Sequence, residues 1–304
     1  METNHRTPMP VAFFGIAVGS LALVGAWCAA ARVWTVPHGI PEVLTAGALA
    51  VWIALIAAYA IKWLTQRDDA LAEMRHPVQS SFAALVPVST MLAAQAVQGF
   101  SREGGIVLFV IGVIAQLAAQ LALGAYLHGR LWQGGRKPEM TTPAIYLPTV
   151  ASSFVAATAS AGFGWTQLGA IFFGAGVFSW LAIESMVLNR AAVYESLPEA
   201  LRPTLGIQLA PPVVDGVSYL AITHGAPDVF AYMLFGYGLY QALMLSRLLP
   251  WIRQQAFASS YWAFSFGVAA LPTMAIRMLE RGAQGPVEWR SSGWRWRSSP
   301  PRMS

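Results

Sequence analysis

Nine long apolar blocks, separated by short polar connections, restrict how this chain of 304 residues can fold more than any other feature. Each block holds roughly the 20 apolar residues that a helix needs to cross the hydrocarbon core of a bilayer. The sequence therefore predicts an all-α integral membrane protein whose neighbouring spans form antiparallel hairpins. The blocks run over residues 10–31, 41–63, 78–98, 104–127, 142–162, 166–189, 203–222, 227–249 and 258–277.

The charged residues support this prediction and give an orientation. They make up only 11% of the chain, against roughly 25% in soluble proteins. The Lys and Arg residues lie between the blocks rather than in one patch, so the net charge of +5 does not indicate nucleic-acid binding. The N-terminal segment and the connections after even-numbered spans carry 11 of them, and the connections after odd-numbered spans carry 4. The positive-inside rule then predicts a cytoplasmic N-terminus.

The C-terminal residues depart from the hairpin pattern. Residues 1–288 are interpreted as a single transmembrane domain, and residues 289–304 read WRSSGWRWRSSPPRMS. Nine spans leave the fifth hairpin without its second helix, so we interpret this tail as an out-of-frame or truncated terminus. The alternative is a native interfacial tail, with Trp and Arg at the level of the lipid headgroups.

Prolines reveal an internal repeat in the odd-numbered spans. Pro87, Pro148, Pro211 and Pro272 are separated by 61, 63 and 61 residues, which is one hairpin per repeat. A proline inside a helix removes a hydrogen bond and kinks the helix, and the freed carbonyl needs a partner that lipid does not offer. We therefore predict kinked odd helices inside and straight even helices outside, with five hairpins in a quasi-fivefold ring around a central pore.

The body of the odd spans offers aromatic rings and small residues but no basic residue. The pore is therefore expected to be narrow and largely apolar, with steric or dewetting closure. Asp215 is a candidate proton or selectivity site because it lies deep in an inner span. Glu184 lies near Arg190 at a helix end, so we predict that it pairs or snorkels there. The candidate pore-lining residues are Phe14, Gly15, Phe82, Phe154, Phe264 and Phe266.

Signals of catalysis are weak in this sequence. The five histidines make no metal-binding spacing, and the chain has no GxSxG motif, no P-loop and no complete dinucleotide fingerprint. The single cysteine, Cys28, lies inside an apolar block. We therefore expect a protein that is not an enzyme and that uses no cofactor and no metal; a membrane enzyme with histidines in its loops stays open as an alternative.

Several strings resemble one transporter family. HPVQSSFAALVPVSTML at 76–92, SLPEALRPTLGIQLAP at 196–211 and YWAFSFG at 261–267 are similar to the TehA-like tellurite-resistance and dicarboxylate transporter family, to which plant guard-cell slow anion channels are related. Shorter strings in the same order are LWQGG, FFGAG and GYGLYQ, and the similarity runs from about residue 10 to residue 286.

This resemblance implies a homotrimer of the bacterial inner membrane, with five hairpins and one anion pore in each subunit, and a role in tellurite resistance. It also implies that a Phe of the ninth span closes the pore, and the matching residue is Phe266. Three departures matter: Ala17 replaces a kink-forming proline, Asp215 replaces an apolar residue, and a tenth helix is missing after Pro286.

Two transport functions remain open at this point. The first is an anion channel or uniporter with Phe266 as its gate, favouring anions that lose their water easily. The second is a proton-coupled carrier of C4-dicarboxylates or oxyanions that uses Asp215. The partners expected in either case are small anions and the lipid bilayer, with no nucleic acid.

Overall fold

The computed structural model describes residues 9–37, 39–76, 78–133 and 141–283, with the backbone alone for 120–133. Within these ranges the chain is helical and has no β-strand. Nine helical spans of the described part are long and apolar enough to cross a membrane, and each matches one predicted block. The predicted all-α membrane fold is confirmed for this part. The expected absence of a tenth helix and the interpretation of the tail 289–304 concern residues outside it.

The even-numbered spans are uninterrupted α-helices. Nothing in their described sequence breaks the backbone hydrogen-bond ladder before the last turns, where Pro250 stands near the end of the eighth span. A short helix, Arg67–Arg75, connects the second span to the third. The four long helices are Ile40–Thr65, Arg102–Gln133, Thr166–Val193 and Val229–Ile252.

The odd-numbered spans have two parts. Each begins with an irregular segment of 3-10, π or single-turn helix and continues as a regular α-helix. The α-helical parts are Phe14–Val33, Leu85–Val97, Ser152–Gly162, Ala210–Ile222 and Ser265–Glu280. The opening segments are Val11–Phe13, Gln79–Phe82, Pro143–Tyr146 with Leu147–Ala151, Glu199–Leu209 and Ser259–Phe264.

The repeated prolines stand at different places relative to this change of helix type. Pro87 is the third and Pro211 the second residue of the α-helical part, and Pro148 lies inside the π-helical turn. Pro272 lies seven residues into Ser265–Glu280. The carbonyl of Pro148 accepts hydrogen bonds from Gln116 Nε2 (2.5 Å) and Ser152 Oγ (2.7 Å), so the irregular turn finds protein donors where lipid has none.

The α-helical parts of the odd spans form a closed inner ring. In ring order, the first span packs against the third, the third against the fifth, the fifth against the seventh, the seventh against the ninth, and the ninth against the first. Within an apolar 18-residue stretch of each span, 56% to 83% of the residues are buried in the first four odd spans and 39% in the ninth, against 11% to 28% in the even spans. The even spans therefore lie outside, as predicted from the prolines.

The ring closes through a close approach of the ninth span to the first. A Cβ atom at Gly19 would lie 2.2 Å from Ser265 Oγ, and one at Gly15 would lie 3.0 Å from Cβ of Trp262. The Ser265 hydroxyl donates to the carbonyls of Trp262 (2.6 Å) and Gly15 (3.3 Å). Small residues thus let the two backbones meet, which is the usual way membrane helices pack closely.

The outer face of the ninth span is apolar and no described helix covers it. Val268 is 57% exposed, and Pro272 and Leu279 on the same face are also exposed.

Glycines on three outer helices receive side chains from the inner helices. A Cβ at Gly112 would lie 2.6 Å from Met91, and one at Gly238 would lie 2.5 Å from Val213. A Cβ at Gly176 would lie 2.5 Å from the ring of Phe154. The second, third and fourth hairpins therefore share one packing device: an inner side chain fills the space left by an outer glycine.

Candidate functional site

The axis of the inner ring holds a wide cavity of about 580 Å³. Its walls come from the C-terminal halves of all five odd spans, so it opens at the end of the ring where those spans end. Leu21, Leu92, Val155 and Val214 are among the lining residues of the first, third, fifth and seventh spans, and Phe266 is among those of the ninth. Apolar side chains thus form one part of the walls, and charged, amide and hydroxyl side chains form the rest.

Phe266 lies at the inner limit of this wide cavity. Its side chain is buried, and it also borders a cavity of about 30 Å³ in the other half of the ring. Gly15, Phe82 and Leu147 line that small cavity. The Phe266 side chain therefore stands between the wide cavity and the small one, and none of the described residues that line the small cavity is basic.

The other predicted aromatic residues pack in several directions. Phe82 lines the small axial cavity with Gly15. The ring of Phe14 makes an edge contact with Tyr59 of the second span, with the ring centres 5.5 Å apart. The ring of Phe264 packs against Gly206. Among the predicted aromatic residues, Phe266 and Phe82 therefore border the axial cavities, and Phe14 and Phe264 face neighbouring segments.

Phe154 lies close to the axis but is directed away from it. It borders a void of about 10 Å³ next to Phe266. Its ring packs against the outer sixth span, at Gly176 and at Phe173, whose ring centre is 6.1 Å away. The packing of the hairpin, rather than the axis, therefore fixes the orientation of Phe154.

Asp215 is fully buried in the seventh span. Neither of its carboxylate oxygens has a hydrogen-bond partner among the described residues. The residues of this span that line the wide cavity are Val214, Val217, Leu220 and Ala221, so Asp215 does not belong to the described lining. The carboxyl group lies within the helix bundle rather than in the axial cavity.

Glu184 differs from its prediction. Its carboxylate accepts hydrogen bonds from the Tyr146 hydroxyl (2.6 Å), Trp180 Nε1 (2.9 Å) and the Tyr237 hydroxyl (2.9 Å). The predicted pairing with Arg190 is therefore wrong for the described structure. Aromatic donors from the fifth, sixth and eighth spans satisfy the carboxylate, which joins these three spans inside the bundle.

The wide cavity also carries charged residues that were not predicted to line it. Its arginines were interpreted from the sequence only as signals of membrane orientation. Arg32, Arg277, Glu280 and Arg281 all line it. Arg32 and Glu280 form an ion pair, with 2.7 Å between Nε and Oε1. Arg281 donates to the carbonyls of Leu220 and Thr223. One feature of the sequence could have indicated a charged cavity wall. Arg277 and Arg281 are about one helical turn apart, on the predicted outer side, where the connections between spans carry few other cations.

Side chains that commonly bind metal ions do not cluster in the described part of the chain. Among them, no three His, Cys, Asp or Glu side chains come together as metal ligands would. The polar groups that line the wide cavity are three guanidinium groups, one carboxylate that is paired with Arg32, and hydroxyl and amide groups. The excess of guanidinium groups over carboxylates suits an anion rather than a cation.

Comparisons with known proteins agree with this arrangement. The family model described as voltage-dependent anion channel (SLAC1) matches residues 8–296. The chain is 38% identical over 276 residues to the tellurite resistance protein TehA homolog of Haemophilus influenzae, covering 90% of this chain and 83% of that protein. It is 25% identical over 242 residues to an uncharacterized transporter of Methanocaldococcus jannaschii, covering 72% and 69% of the two chains.

A plant relative is more distant. The chain is 21% identical over 278 residues to the guard cell S-type anion channel SLAC1 of Arabidopsis thaliana, which covers 89% of this chain and 50% of the plant protein. All these relatives are named as channels, transporters or resistance proteins, and none carries the name of an enzyme. The resemblance found in the sequence is therefore confirmed, and with it a multi-pass membrane protein. The matched family model spans nearly the whole chain, which belongs to the SLAC1 family of voltage-dependent anion channels.

Proposed function

We propose that this protein conducts small anions along the axis of its inner ring and that Phe266 gates the passage. The observation that carries the proposal is the position of Phe266, which borders both the wide cavity of about 580 Å³ and the small cavity of about 30 Å³. Rotation of one aromatic side chain would join the two spaces. The family membership and the names of the relatives support anions as the transported class.

Selectivity in this proposal follows from the lining of the narrow part. Phe82, Leu147, Ile207 and Phe266 surround it and offer no fixed charge. An anion must therefore lose part of its water to pass, which favours weakly hydrated anions such as nitrate over sulfate.

Single-channel recording in a planar bilayer tests the gate. Phe266→Ala is expected to raise the chloride conductance at least severalfold, because it removes the side chain between the two cavities. Phe264→Ala is the matched control, since that ring packs against Gly206 and lies two positions away. Unchanged conductance in Phe266→Ala, or equal opening by Phe264→Ala, would contradict the gate assignment.

We further propose that the protein is a homotrimer in the bacterial inner membrane, with a cytoplasmic N-terminus and a role in tellurite resistance. Large apolar side chains on the outer helices, such as Ile53, Ile171 and Leu243, are exposed and suit contact with lipid or another subunit. The name of the Haemophilus relative supports the role in resistance. Light scattering of the purified protein, labelling of terminal tags in intact cells and growth on tellurite test the three parts separately.

A proton-coupled carrier of C4-dicarboxylates or oxyanions is the second candidate. The observation in its favour is Asp215, a buried carboxyl group without a described hydrogen-bond partner, because such groups in membranes often belong to proton pathways. In this case flux into liposomes should depend on a pH gradient and saturate with substrate. Asp215→Asn should abolish that dependence. Electrogenic flux that ignores the pH gradient would exclude the carrier.

A further inference from the structure

The cations of the wide cavity outnumber its carboxylates, with three arginines and one glutamate in the described lining. Of the four charged residues in its wall, Glu280 pairs with Arg32. Arg281 donates to the carbonyls of Leu220 and Thr223 and makes no ion pair among the described residues. Arg277 makes no described ion pair. The cavity therefore has a net positive wall near its open end, where the odd spans end, and such a wall raises the local concentration of anions.

Two donors in this wall lack acceptors. Nε of Arg277 and Nε2 of Gln95 are buried, and neither has a hydrogen-bond partner among the described residues. Arg277 comes from the ninth span and Gln95 from the third, and these two spans flank the first span in the ring. A buried donor without a partner is costly, and an anion that accepts from both would remove that cost.

The remaining polar groups of the wall are already occupied. The hydroxyl of Thr158 donates to the Phe154 carbonyl (3.0 Å), and that of Thr273 donates to the Ala269 carbonyl (2.7 Å). Gln98 donates to the carbonyl of Gly162 (2.8 Å). The free donors are thus few, which fits a small monovalent ion better than a multiply charged oxyanion.

The positions of the arginines along the chain also favour an anion-binding role for this cavity. Four Lys or Arg residues lie in the stretches that follow the odd-numbered spans and precede the tail 289–304, on the side of the membrane predicted to face outward. Three of them, Arg32, Arg277 and Arg281, line the cavity. Lys and Arg are rare on the outer side of membrane proteins. Membrane orientation therefore does not explain why three arginines line one cavity on that side.

We propose that Arg277 and Gln95 form a binding site for a small monovalent inorganic anion, of the size of chloride or nitrate, in the wide cavity ahead of Phe266. The proposal rests on the proposed anion transport, in which this site loads the passage before the ion loses its water at the apolar constriction. The site holds the anion by a charge-assisted hydrogen bond from Arg277 and an amide hydrogen bond from Gln95.

Two measurements test the site, and only one depends on transport. In planar bilayers, with Phe266→Ala as the conducting background, Arg277→Gln should raise the half-saturating chloride concentration about tenfold. Arg253→Gln is the matched control, because Arg253 is an exposed residue after the eighth span and does not line the cavity. It should leave the saturation curve unchanged.

The second measurement follows binding alone. The unfolding temperature of the detergent-purified wild type should rise to a plateau when sodium bromide replaces sodium gluconate at constant ionic strength. Arg277→Gln should remove this rise. If it prevents folding, Gln95→Leu replaces it in both experiments.

The outcomes separate the two proposals. A thermal shift lost in Arg277→Gln, together with no anion current in any variant, keeps the site and rejects the channel. An anion current whose saturation is the same in Arg277→Gln, with the thermal shift also unchanged, overturns the site and keeps the channel.

Discussion

Lys62 and Glu73 form an ion pair at the start of the inner ring, with 2.7 Å between Nζ and Oε2 and with side chains that are only 2% and 5% exposed. Lys62 Nζ also donates to the carbonyl of Met9 (3.0 Å), and the backbone N–H of Val11 donates to Glu73 Oε1 (3.3 Å). The pair therefore fixes the beginning of the first span against the second span and the connecting helix.

Removal of one partner should destabilise the fold more than removal of both. Lys62→Met leaves a buried carboxylate uncompensated and is expected to cost about 3–5 kcal/mol. The double variant Lys62→Met/Glu73→Leu should recover most of this loss, because no charge stays buried. Denaturant unfolding of the purified variants checks this, and a double variant as unstable as the sum of the single variants would contradict it.

The stability of the third hairpin is expected to depend on the space beside Gly176. Gly176→Ala pushes a methyl group into the ring of the fully buried Phe154 and should destabilise by about 1–3 kcal/mol. Gly174→Ala on the same helix is the control, because a Cβ there has no atom within 4 Å among the described residues. Thermal unfolding measures both, and equal unfolding temperatures would show that Phe154 does not pack as described.

A similar comparison tests the closure of the ring. Gly19→Val should separate the first and ninth spans, since even a Cβ atom at this position would overlap Ser265 Oγ. Gly25→Val lies on the same helix with nothing described within 4 Å of its Cβ position and should fold as the wild type does. We expect Gly19→Val to lose several degrees in unfolding temperature. A cysteine pair across the two spans that crosslinks equally in both variants would argue against this packing.

His76 should make stability depend on pH. Its Nδ1 accepts hydrogen bonds from the backbone N–H groups of Val78 and Gln79 (both 3.2 Å), which requires the neutral ring. Partial burial lowers the pKa of His76 below its usual value of 6.5. Because the folded pKa is the lower one, this contribution is complete above pH 6.5 and is lost as the pH falls through the folded pKa.

The matched variant for this effect is His76→Asn, whose side-chain oxygen can still accept a hydrogen bond from the backbone but does not titrate. Its unfolding temperature should fall less than that of the wild type when the pH is lowered from about 7 to about 5. Parallel pH profiles for the two proteins would assign the acid sensitivity to another group.

The sequence alone predicted the helical spans of the described part and their inner and outer places. Each span is a block of apolar residues whose length the bilayer dictates, and the regularly spaced prolines lie inside the odd spans because irregular backbone needs protein partners. The inner and outer places of the helices follow from that rule. The carbonyl of Pro148, which is bonded to Gln116 and Ser152, shows the rule at one residue.

The tertiary structure alone decided which side chains meet. Successive residues of a helix point about 100° apart, so small differences in helix rotation decide whether a Phe faces the axis or a neighbour. Phe154 turns to the outer helix because Gly176 leaves room there, whereas Phe266 stays at the axis. Likewise, Lys62 and Arg277 look alike in the sequence, because each is a basic residue at the end of an apolar block and indicates only the orientation of the chain in the membrane. Long-range packing makes one a buried structural cation and places the other, with an unpaired Nε, in the wall of the cavity.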